Sequence, residues 1–459
     1  MNGLSLVSAA FVGACLPLIA VSAEPPKAPV PKSPFISVVY RYADAMLDNG
    51  RDTVGPQKTG LFLSALDRTT LSPLDRRPPA PSGLRESERA GVVASGALTG
   101  ANPQHDENLL RLLYLLTELT TKTKYREAAD AELKCFLEKA TAPATRIVPW
   151  GRFGSWDVVK DEAISSDDGA SAGSGEFFRP WMLWDRCFEI AAESSKQVAL
   201  RFFGWEDQSP KHEHALEGMP RQAGFMIRTW SVAYAQTKDP QYLGIIETVL
   251  GRIEKKRHPR TGLLEGPGDR SAVASTLSLA IDCDGASRRV PEPLAGRLRA
   301  VATKEDEIFC ALPHDLKSTR GFIADCEAST RVFKGKPTPL WLAANGAGTT
   351  ARVGMMCVSR YENTGRVAYR ELIHAAADCY LDALPGEADD LWAGTIGHAI
   401  SLELAAWRST AKPIYFECAR QLGEFALAKF FDSGPLPRAS LKSEHYETVT
   451  GADTLALAL

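Results

Sequence analysis

Apolar residues recur at the spacing of an amphipathic helix in many separate stretches of this chain. In four places such a helix is followed, after a short turn, by a second helix, which in three of the four is rich in alanine. LLRLLYLLTEL and the following YREAADAELKCFLEKA are one example. Strand-like alternation of apolar and polar residues is scarce. The pattern therefore predicts an all-α fold.

The four helix pairs share a spacing as well as a pattern. Each first helix ends near a threonine, and a tyrosine opens the second helix five residues later. These pairs are Thr120 and Tyr125, Thr237 and Tyr242, Thr364 and Tyr369, and Thr410 and Tyr415. Four matches at one internal spacing indicate a repeated αα-hairpin, and the segments between them raise the expected total to roughly six or seven hairpins.

The predicted connections between hairpins are long, whereas the turn inside each hairpin has only about four or five residues. If inner and outer helices alternate, every long connection leads into the N-terminal end of an inner helix. We call that end of the fold the connection face, and the opposite end the turn face. Long connections are usually functional, and helix N-termini favour anions, so a cleft is expected on the connection face. The predicted connections are Thr141–Gly175, Arg201–Gly218, Pro313–Gly348, Pro385–Gly397 and Asp432–Thr450.

This repeat of hairpins resembles the (α/α) toroid proteins, which include six-hairpin glycosidases and toroidal polysaccharide lyases. The resemblance covers most of residues 36–459 and rests on the repeat, not on a catalytic motif. It implies one (α/α)6-7 toroid domain over that range. Five segments are also similar to a group of secreted bacterial proteins loosely described as pectate-lyase-like: NPQHDENL, RPWMLWD, ANGAGTTARVGMM, DLWAGTIGHAI and SEHYETVTGADTLALAL.

The N-terminal segment is uncharged through residue 23 and apolar from Leu4 onward. A hydrophobic run that ends in Val21-Ser22-Ala23 is typical of a signal peptide, so we interpret residues 1–23 as a leader cut before Glu24 and the protein as secreted or periplasmic. Residues 24–35 are a Pro-rich linker. Two alternatives stay open, because the run is long enough to remain as a membrane anchor and Val12-Gly13-Ala14-Cys15 is similar to a bacterial lipoprotein box.

Composition and charge serve mainly to exclude some classes of binding partner. The chain is 44% hydrophobic and 24% charged, with a net charge of −3. This near balance argues against nucleic acid as the main partner, which would favour a basic stripe. We expect a monomer that takes a polysaccharide or oligosaccharide substrate and touches no membrane except through an N-terminal anchor.

Tryptophans recur in the predicted long connections. Sugar rings stack their apolar faces on aromatic side chains, so such residues suit a carbohydrate cleft. Trp181 and Trp184 are spaced three apart and are better interpreted as the core of a helix. We expect Trp150, Trp156 and Trp205 to contact a sugar ligand.

Histidines and other polar groups gather in or beside the same connections. Toroidal lyases, which this chain resembles, typically use His or Tyr to remove the proton next to a uronate carboxylate, and donors must stabilise the charge that develops. On that basis we expect Tyr446 to act as base or acid, partnered by His445 and by His212 or His214. Arg221 is expected to hold a substrate carboxylate bidentately. The remaining predicted substrate contacts are Asn102, His105, Glu206, Asn345 and His398.

Two other functions remain open from the sequence. A glycoside hydrolase of the six-hairpin type needs paired carboxylates, and acidic residues are available in the connections. These include Asp106, Glu107, Asp157, Glu206, Asp207 and Glu217. A glycan-binding protein built on the same ring would need the aromatic residues but could lose His445 and Tyr446.

No metal site or cofactor is predicted. Lys211-His212-Glu213-His214 does not match the H-E-x-x-H helix of zinc hydrolases, and the eight cysteines after Cys15 form no C-x-x-C pair. No D-x-D-x-D-G ladder is present. Acidic loops leave Ca²⁺ open as a cofactor.

Overall fold

The computed structural model describes residues 33–86, 89, 98–141, 155–164, 181, 183–207, 220–341, 348–386 and 390–459. For a few of these residues, including 201–207 and 220–222, only the backbone is described. The helices, in chain order, are α1 (Pro34–Asn49), α2 (Glu107–Thr120), α3 (Thr123–Thr141), α4 (Trp184–Ile190), α5 (Ala192–Asp207), α6 (Pro220–Thr237), α7 (Gln241–Lys255), α8 (Val273–Ser287), α9 (Leu294–Ala311), α10 (Leu316–Thr319), α11 (Thr350–Thr364), α12 (Val367–Asp378), α13 (Ala393–Thr410), α14 (Pro413–Phe430) and α15 (Ala452–Ala458).

The helices form two layers around one axis. Helices α2, α4, α6, α8, α11, α13 and α15 follow one another as the inner ring, and α1, α3, α5, α7, α9, α12 and α14 pack outside them. Their apolar faces merge into one core. Within the described residues this makes seven inner and outer pairs, of which the last joins α15 to α1. The expectation of an all-α toroid of six or seven hairpins is confirmed.

The threonine of the repeat has the same local function in all four hairpins. Its hydroxyl donates to the carbonyl four residues earlier and accepts the N–H two residues later, which for Thr120 gives 2.6 Å to Leu116 O and 3.2 Å to Lys122 N. Thr237, Thr364 and Thr410 repeat both bonds. The residue after each threonine has a left-handed backbone, which ends the helix. The spacing is therefore constant because the turn is held by bonds to near neighbours.

In three of the four hairpins, the tyrosine of the repeat joins its hairpin to the preceding one. Tyr125 donates to Asp44 on α1, Tyr369 to Asp306 on α9 and Tyr415 to Asp378 on α12, at 2.9, 2.7 and 2.7 Å. Each acceptor lies on the outer helix that precedes the tyrosine's own outer helix around the ring. The repeat thus fixes both the turn and the stagger between neighbours.

Long and short connections are segregated as the sequence predicts. Turns inside hairpins run from one residue, at Ala191, to six residues, at 288–293, and every longer connection precedes an inner helix. Two of the predicted boundaries were wrong. Residues 201–207 are the last turns of α5, and Gly397 lies inside α13.

Short strands lie only in the connections, within the described part of the chain. They are β1 (Ala65–Leu66), β2 (Gly100–Ala101), β3 (Ser155–Asp157), β4 (Glu162–Ile164), β5 (Arg270–Ala272), β6 (Asp325–Glu327), β7 (Phe333–Lys334) and β8 (Tyr446–Glu447). They form the sheets β1–β8, β2–β3–β4 and β5–β6–β7, and all pairings are antiparallel. The first sheet joins the first connection to the last, with Ala65 opposite Glu447 and Leu66 opposite Tyr446.

The ring closes where α15 lies between α13 and α2. Two glycines let α13 approach α15 closely. A Cβ at Gly397 would stand 2.7 Å from Thr454 O and 2.8 Å from Leu455 Cα, and one at Gly394 would stand 2.9 Å from Gly451 Cα. Because backbone rather than flexible side chain fills this space, neither position tolerates a side chain without a shift of one helix.

The buried tryptophans are part of the core. Trp181 and Trp184 are each 1% exposed, so their interpretation as core residues is confirmed. Within the described residues, no helix combines the length and the hydropathy that crossing a bilayer requires.

Candidate functional site

The N-terminal ends of α2, α13 and α15 meet on the connection face, beside the β1–β8 sheet. We call this region the three-helix site. It brings together five of the residues predicted from sequence. Asn102 and His105 lie in the turn before α2, His445 and Tyr446 lie just before α15, and His398 lies in the second turn of α13.

Helix α15 supplies the N-terminal cap of α2. The first N–H groups of a helix have no partner within the helix, and the side chain of Asp106, which precedes α2, does not cap it. Instead Asp453 Oδ2 accepts the Asn108 N–H at 2.9 Å, and the Asn108 side chain donates to Thr454 Oγ1 at 2.9 Å. A carboxylate at this position is also favoured by the helix dipole.

Tyr446 is enclosed in the protein. Its hydroxyl lies 3.1 Å from that of Tyr42 on α1, and both residues are 0% exposed. Burial raises the pKa of Tyr446 well above its usual value, and the neighbouring Tyr42, Asp106 and Asp453 raise it further. Tyr446 therefore keeps its proton at neutral pH and does not face solvent. Its assignment as the acid or base stays a prediction, and this environment does not favour it.

His445 is held by a buried ion pair. Its Nε2 lies 2.8 Å from Glu447 Oε2, and Arg89 donates to both Glu447 oxygens at 2.9 Å. Burial alone would raise the pKa of Glu447, but hydrogen bonds from His445 and Arg89 outweigh it and lower this pKa. Arg89 is itself fixed by the Pro78 carbonyl at 2.7 Å. A carboxylate that holds an imidazole in this way fixes the orientation of the ring.

The acidic residues around α2 are turned inward. Asp106 and Glu107 are at most 1% exposed, and Glu132 of α3, which neighbours Asp106, is fully buried. Burial raises the pKa of Glu132 to about 8 against the opposing charge of Arg51. Glu132 therefore keeps its proton at neutral pH. These carboxyl groups lie inside the protein and do not line the surface of the site.

The more accessible groups near the three-helix site include several basic side chains, together with the exposed Glu86 and Glu444. His105 and His398 are half-buried, and Arg111 on α2 is exposed, with Nη1 3.2 Å from Asn108 Oδ1. Arg352 lies half-buried in the first turn of α11, the inner helix next to α13, and Thr349 Oγ1 caps that turn by accepting the Arg352 N–H at 3.2 Å. Imidazoles, guanidinium groups and helix N-termini in one region suit the binding of an anion.

Comparison with solved structures identifies the architecture. A D-mannose isomerase superposes with a TM-score of 0.50 over 94% of this chain and 98% of that chain, at 9% sequence identity. The chain has the (α/α) toroid fold. Two further matches are an inactive α-1,6-mannanase from Salegentibacter sp. in complex with α-1,6-mannotetrose and a cellobiose 2-epimerase from Bacillus thermoamylovorans. Their TM-scores are 0.46 and 0.48, each at 9% identity, over 93% and 92% of this chain and 98% of each matched chain.

Sequence comparisons add no family assignment for this toroid. No family model matches the chain, and no curated protein matches it. The solved structures it matches are carbohydrate-active enzymes of several kinds, namely a hydrolase, an isomerase and an epimerase, and none of these three is a lyase.

Other predicted site residues lie elsewhere in the toroid or outside its described residues. Trp156 is 5% exposed in β3, where Lys139 Nζ lies 4.5 Å from its ring centre, so its surroundings are those of a core residue. Trp205 and Glu206 belong to the last turn of α5 and Arg221 to the first turn of α6, but their side chains are not described. The residues that lie outside the described part of the chain are Trp150, His212, His214 and Asn345.

Four residues of the site were not singled out from sequence: Tyr42, Arg89, Glu447 and Asp453. One had a usable signal, because Glu447 follows His445 by two residues and side chains two apart on an extended segment share a face. Arg89 had none, since it lies in a Pro-rich stretch more than 350 residues from its partner. In the described part of the toroid, no group of three or more His, Cys, Asp or Glu residues is placed to hold a metal ion.

Proposed function

We propose that this toroid is a polysaccharide-degrading enzyme that cleaves a uronic-acid-containing polymer by β-elimination. The observation that carries the proposal is that His105, His398 and His445 lie at the connection-face ends of α2, α13 and α15, three inner helices that pack side by side. Elimination begins when a base removes the proton next to the uronate carboxylate. Of the three imidazoles, His105 and His398 are the more accessible and are our candidates for that step.

The charge of the site is consistent with an anionic sugar. The proton next to a carboxylate is weakly acidic, so its removal requires stabilisation of the negative charge that develops on the substrate. Arg111 on α2 and Arg352 at the start of α11 supply positive charge on the connection face. His445 is fixed by Glu447 and Arg89, so it would hold neighbouring groups of the site in place rather than take the proton from the substrate.

The hydrolase alternative has less support. A glycoside hydrolase needs two carboxyl groups that face the scissile bond, roughly 5 to 10 Å apart. Within the described residues of the three-helix site, Asp106, Glu107 and Asp453 are at most 1% exposed, and Glu447 is bound to Arg89. These four acids are committed to internal contacts, whereas Glu86 and Glu444 are exposed beside Arg89 and His445.

A second candidate is an isomerase that acts on a free sugar. It is favoured by the match to a D-mannose isomerase over nearly the whole length of both chains. Interconversion of an aldose and a ketose also begins with removal of a proton from the carbon beside a carbonyl group. The same histidines could perform it, without any need for the cation at Arg111.

The products distinguish these reactions. The purified protein is incubated with uronate-containing polysaccharides, with neutral polysaccharides and with D-mannose. Elimination produces an unsaturated sugar that absorbs ultraviolet light, hydrolysis produces new reducing ends without that absorbance, and isomerisation converts aldose to ketose. Ultraviolet-absorbing products from a uronate polymer would support the proposal. Reducing ends or ketose alone would contradict it, and binding without any product would indicate a glycan-binding protein.

Histidine variants test the site. His398→Ala and His105→Ala should each lower kcat/KM, by roughly 10²- to 10⁴-fold for the residue that transfers the proton. His374→Ala is the matched control, since His374 lies on the outer helix α12 with Nε2 2.8 Å from Ser409 Oγ. Equal losses in all three variants would contradict the assignment, provided that thermal unfolding shows each variant to be folded.

A polymeric substrate also implies export, and we propose that residues 1–23 direct it. The exported protein should then begin at Glu24, which N-terminal sequencing would establish. A chain that retains residues 1–23, or that begins at Cys15 with an attached lipid, would instead support one of the two membrane-anchored alternatives.

A further inference from the structure

Arg228 carries a charge that has no partner in the described part of the toroid. Its side chain is half-buried in the middle of the inner helix α6. A guanidinium group has five N–H donors and stays charged at neutral pH. Among the described residues, none accepts a hydrogen bond from the guanidinium of Arg228 or forms an ion pair with it. This group is therefore available to a ligand.

The guanidinium of Arg228 lies against the backbone of the neighbouring inner helix. A Cβ added at Gly285 on α8 would stand 1.4 Å from Arg228 Nη1, so a larger residue there would displace the group. Gly285 is two residues before the end of α8, which places the contact near the turn face. We call Arg228 and the Gly285 backbone beneath it the Arg228 site. In the order of the inner ring, α4 separates α6 from α2, and α8 and α11 separate it from α13, so this site is distinct from the three-helix site.

Asp282 faces α6 close to Arg228 but does not neutralise it. A Cβ at Gly224 would stand 2.9 Å from Asp282 Oδ2, and Gly224 is one helical turn before Arg228. Neither oxygen of Asp282 has a hydrogen-bond partner in the described structure. Burial raises the pKa of Asp282 to about 8, against the opposing charge of Arg228. Asp282 therefore keeps its proton at neutral pH.

Two further acidic residues of this region are already bonded to other arginines. Asp185 accepts two hydrogen bonds from Arg289, at 2.7 and 2.6 Å. Asp284 accepts one from Arg288 at 2.8 Å and one from Arg360 at 3.2 Å. Each of these carboxylates thus has its own cation, and the charge at the Arg228 site remains in excess.

The surroundings of the Arg228 site are cationic and reach solvent. Burial lowers the pKa of Arg228, and the neighbouring Arg289 and Arg288 lower it further against the opposing effect of Asp282 and Asp185. The side chains of Asp185 and Arg288 are 40% and 48% exposed, so a small solute has access to this region. An unpaired charge that is partly buried is costly, and a bound anion would remove that cost.

We propose that the Arg228 site binds an oxoanion at the turn-face end of α6 and α8, with Arg289 adding positive charge beside it. The paired oxygens of a carboxylate, sulfate or phosphate group match the fork of a guanidinium. A ligand that binds the folded chain alone stabilises it, so the anion would strengthen the contact between these two inner helices. The proposal does not depend on the reaction proposed above, because the two sites lie on different helices.

Anion titration tests the proposal. The protein, in a chloride buffer of constant ionic strength, is titrated calorimetrically with sodium phosphate, sodium sulfate or sodium glucuronate. At least one should bind and raise the melting temperature by about 3 °C at one hundred times its dissociation constant. Tighter binding of glucuronate would identify a sugar acid as the ligand, and tighter binding of phosphate or sulfate an inorganic or ester oxoanion. Because the three-helix site could also take an anion, variants must assign the signal.

Two variants remove the Arg228 site in different ways. Arg228→Met removes the charge and should weaken anion binding by roughly tenfold or more. Gly285→Ala keeps every charge but displaces the guanidinium, so it should weaken the same binding. The matched controls are Arg297→Met, which removes an outer-layer arginine bonded to Glu254 at 2.9 Å, and Gly251→Ala, where an added Cβ meets nothing within 4 Å. Both controls should bind like the parent.

Ionised Asp282 is the rival partner of the guanidinium. Asp282→Asn removes this rival and should leave anion binding unchanged. If anions bind only to the Asp282→Asn variant, Arg228 pairs with Asp282 in the parent and the proposal fails. It also fails if none of the three anions binds the parent, or if Arg228→Met and Gly285→Ala both bind like the parent. Circular dichroism establishes that each variant is folded.

Discussion

Two glutamates of this toroid are equally buried but have opposite charge states. Glu447, at the β1–β8 junction, is 1% exposed, and Glu403, in the middle of α13, is 0% exposed. Arg89 and His445 hold the pKa of Glu447 below its usual value even though burial opposes this. Burial raises the pKa of Glu403 to about 9, and the nearby Asp378 adds to the rise. Neighbours, and not burial alone, decide the charge.

The two glutamates differ in charge because their surroundings are held together by different interactions. Glu403 lies between packed helices, where apolar contacts provide cohesion and a neutral carboxyl group is tolerated. Glu447 lies where two irregular connections meet and little regular structure is available. Buried arginines hold these connections together, since Arg89 binds Glu447, and Arg68 binds the Leu436 and Phe430 carbonyls at 2.8 and 2.9 Å. The ring is packed by apolar residues but closed by ionic ones.

The largest expected effect comes from removing one partner of the closing ion pair. Arg89→Met leaves Glu447 buried without its counter-charge, which should lower the free energy of unfolding by about 3 to 5 kcal/mol. Urea unfolding followed by circular dichroism measures this change.

The control removes the charges of both Arg89 and Glu447. Arg89→Met combined with Glu447→Gln should recover part of the lost stability, because no charge is then buried alone. If the loss of unfolding free energy in the double variant equals the sum of the losses in the two single variants, Arg89 and Glu447 do not act as a unit. The comparison with Glu403 then fails.

The second-largest expected loss of stability comes from the close packing of α13 against α15, where the ring closes. Gly397→Ala forces a Cβ against the backbone of α15 and should cost about 1 to 3 kcal/mol. Gly251 lies inside α7, where an added Cβ would have nothing within 4 Å, so Gly251→Ala should instead stabilise the protein by about 0.5 to 1 kcal/mol. Thermal unfolding of the two variants should therefore shift in opposite directions, and shifts of the same sign would contradict the packing at the closure.

The cap that joins α15 to α2 should contribute a smaller amount. Asp453→Ala removes the acceptor of the Asn108 N–H and should cost about 0.5 to 2 kcal/mol in urea unfolding. Asp315 caps the short helix α10 in an exposed position, bonding Ser318 N at 3.0 Å, and Asp315→Ala is the control with a smaller expected loss. A cap that serves ring closure should also speed local hydrogen exchange in α2 when it is removed, which the control should not do.

Glu403 provides the smallest effect near pH 5 and the clearest pH signature. Its pKa is raised from 4.5 to about 9, so the folded protein binds this proton more tightly than the unfolded chain does. The stability it contributes is full below about pH 4.5 and is lost as the pH rises toward 9. Glu403→Gln should change stability little near pH 5 and flatten the decline in melting temperature between pH 5 and 9. An unchanged slope would show that Glu403 is not the titrating group.

The hairpin repeat could be predicted from sequence because the interactions that create it are local. The threonine of each turn bonds four residues back and two residues ahead, so its position relative to the turn cannot vary. Apolar residues at helical spacing fix which face of each helix is buried. Segregation of short turns from long connections then follows from the lengths of the segments alone, and with it the location of the connection face.

The candidate site was only partly predictable for the opposite reason. Tyr42 and Tyr446 are separated by 404 positions, and Arg89 and Glu447 by 358, so no local pattern relates them. Ring closure decides that Tyr446 is enclosed and that His445 is bound to an ion pair, and the pairing of β3 with β2 and β4 places Trp156 in the interior. The sequence by itself determined the repeated hairpins and the face on which polar residues gather, since both depend on neighbours along the chain. Only the tertiary structure decided which of those residues face solvent, because burial depends on what the distant end of the chain places against them.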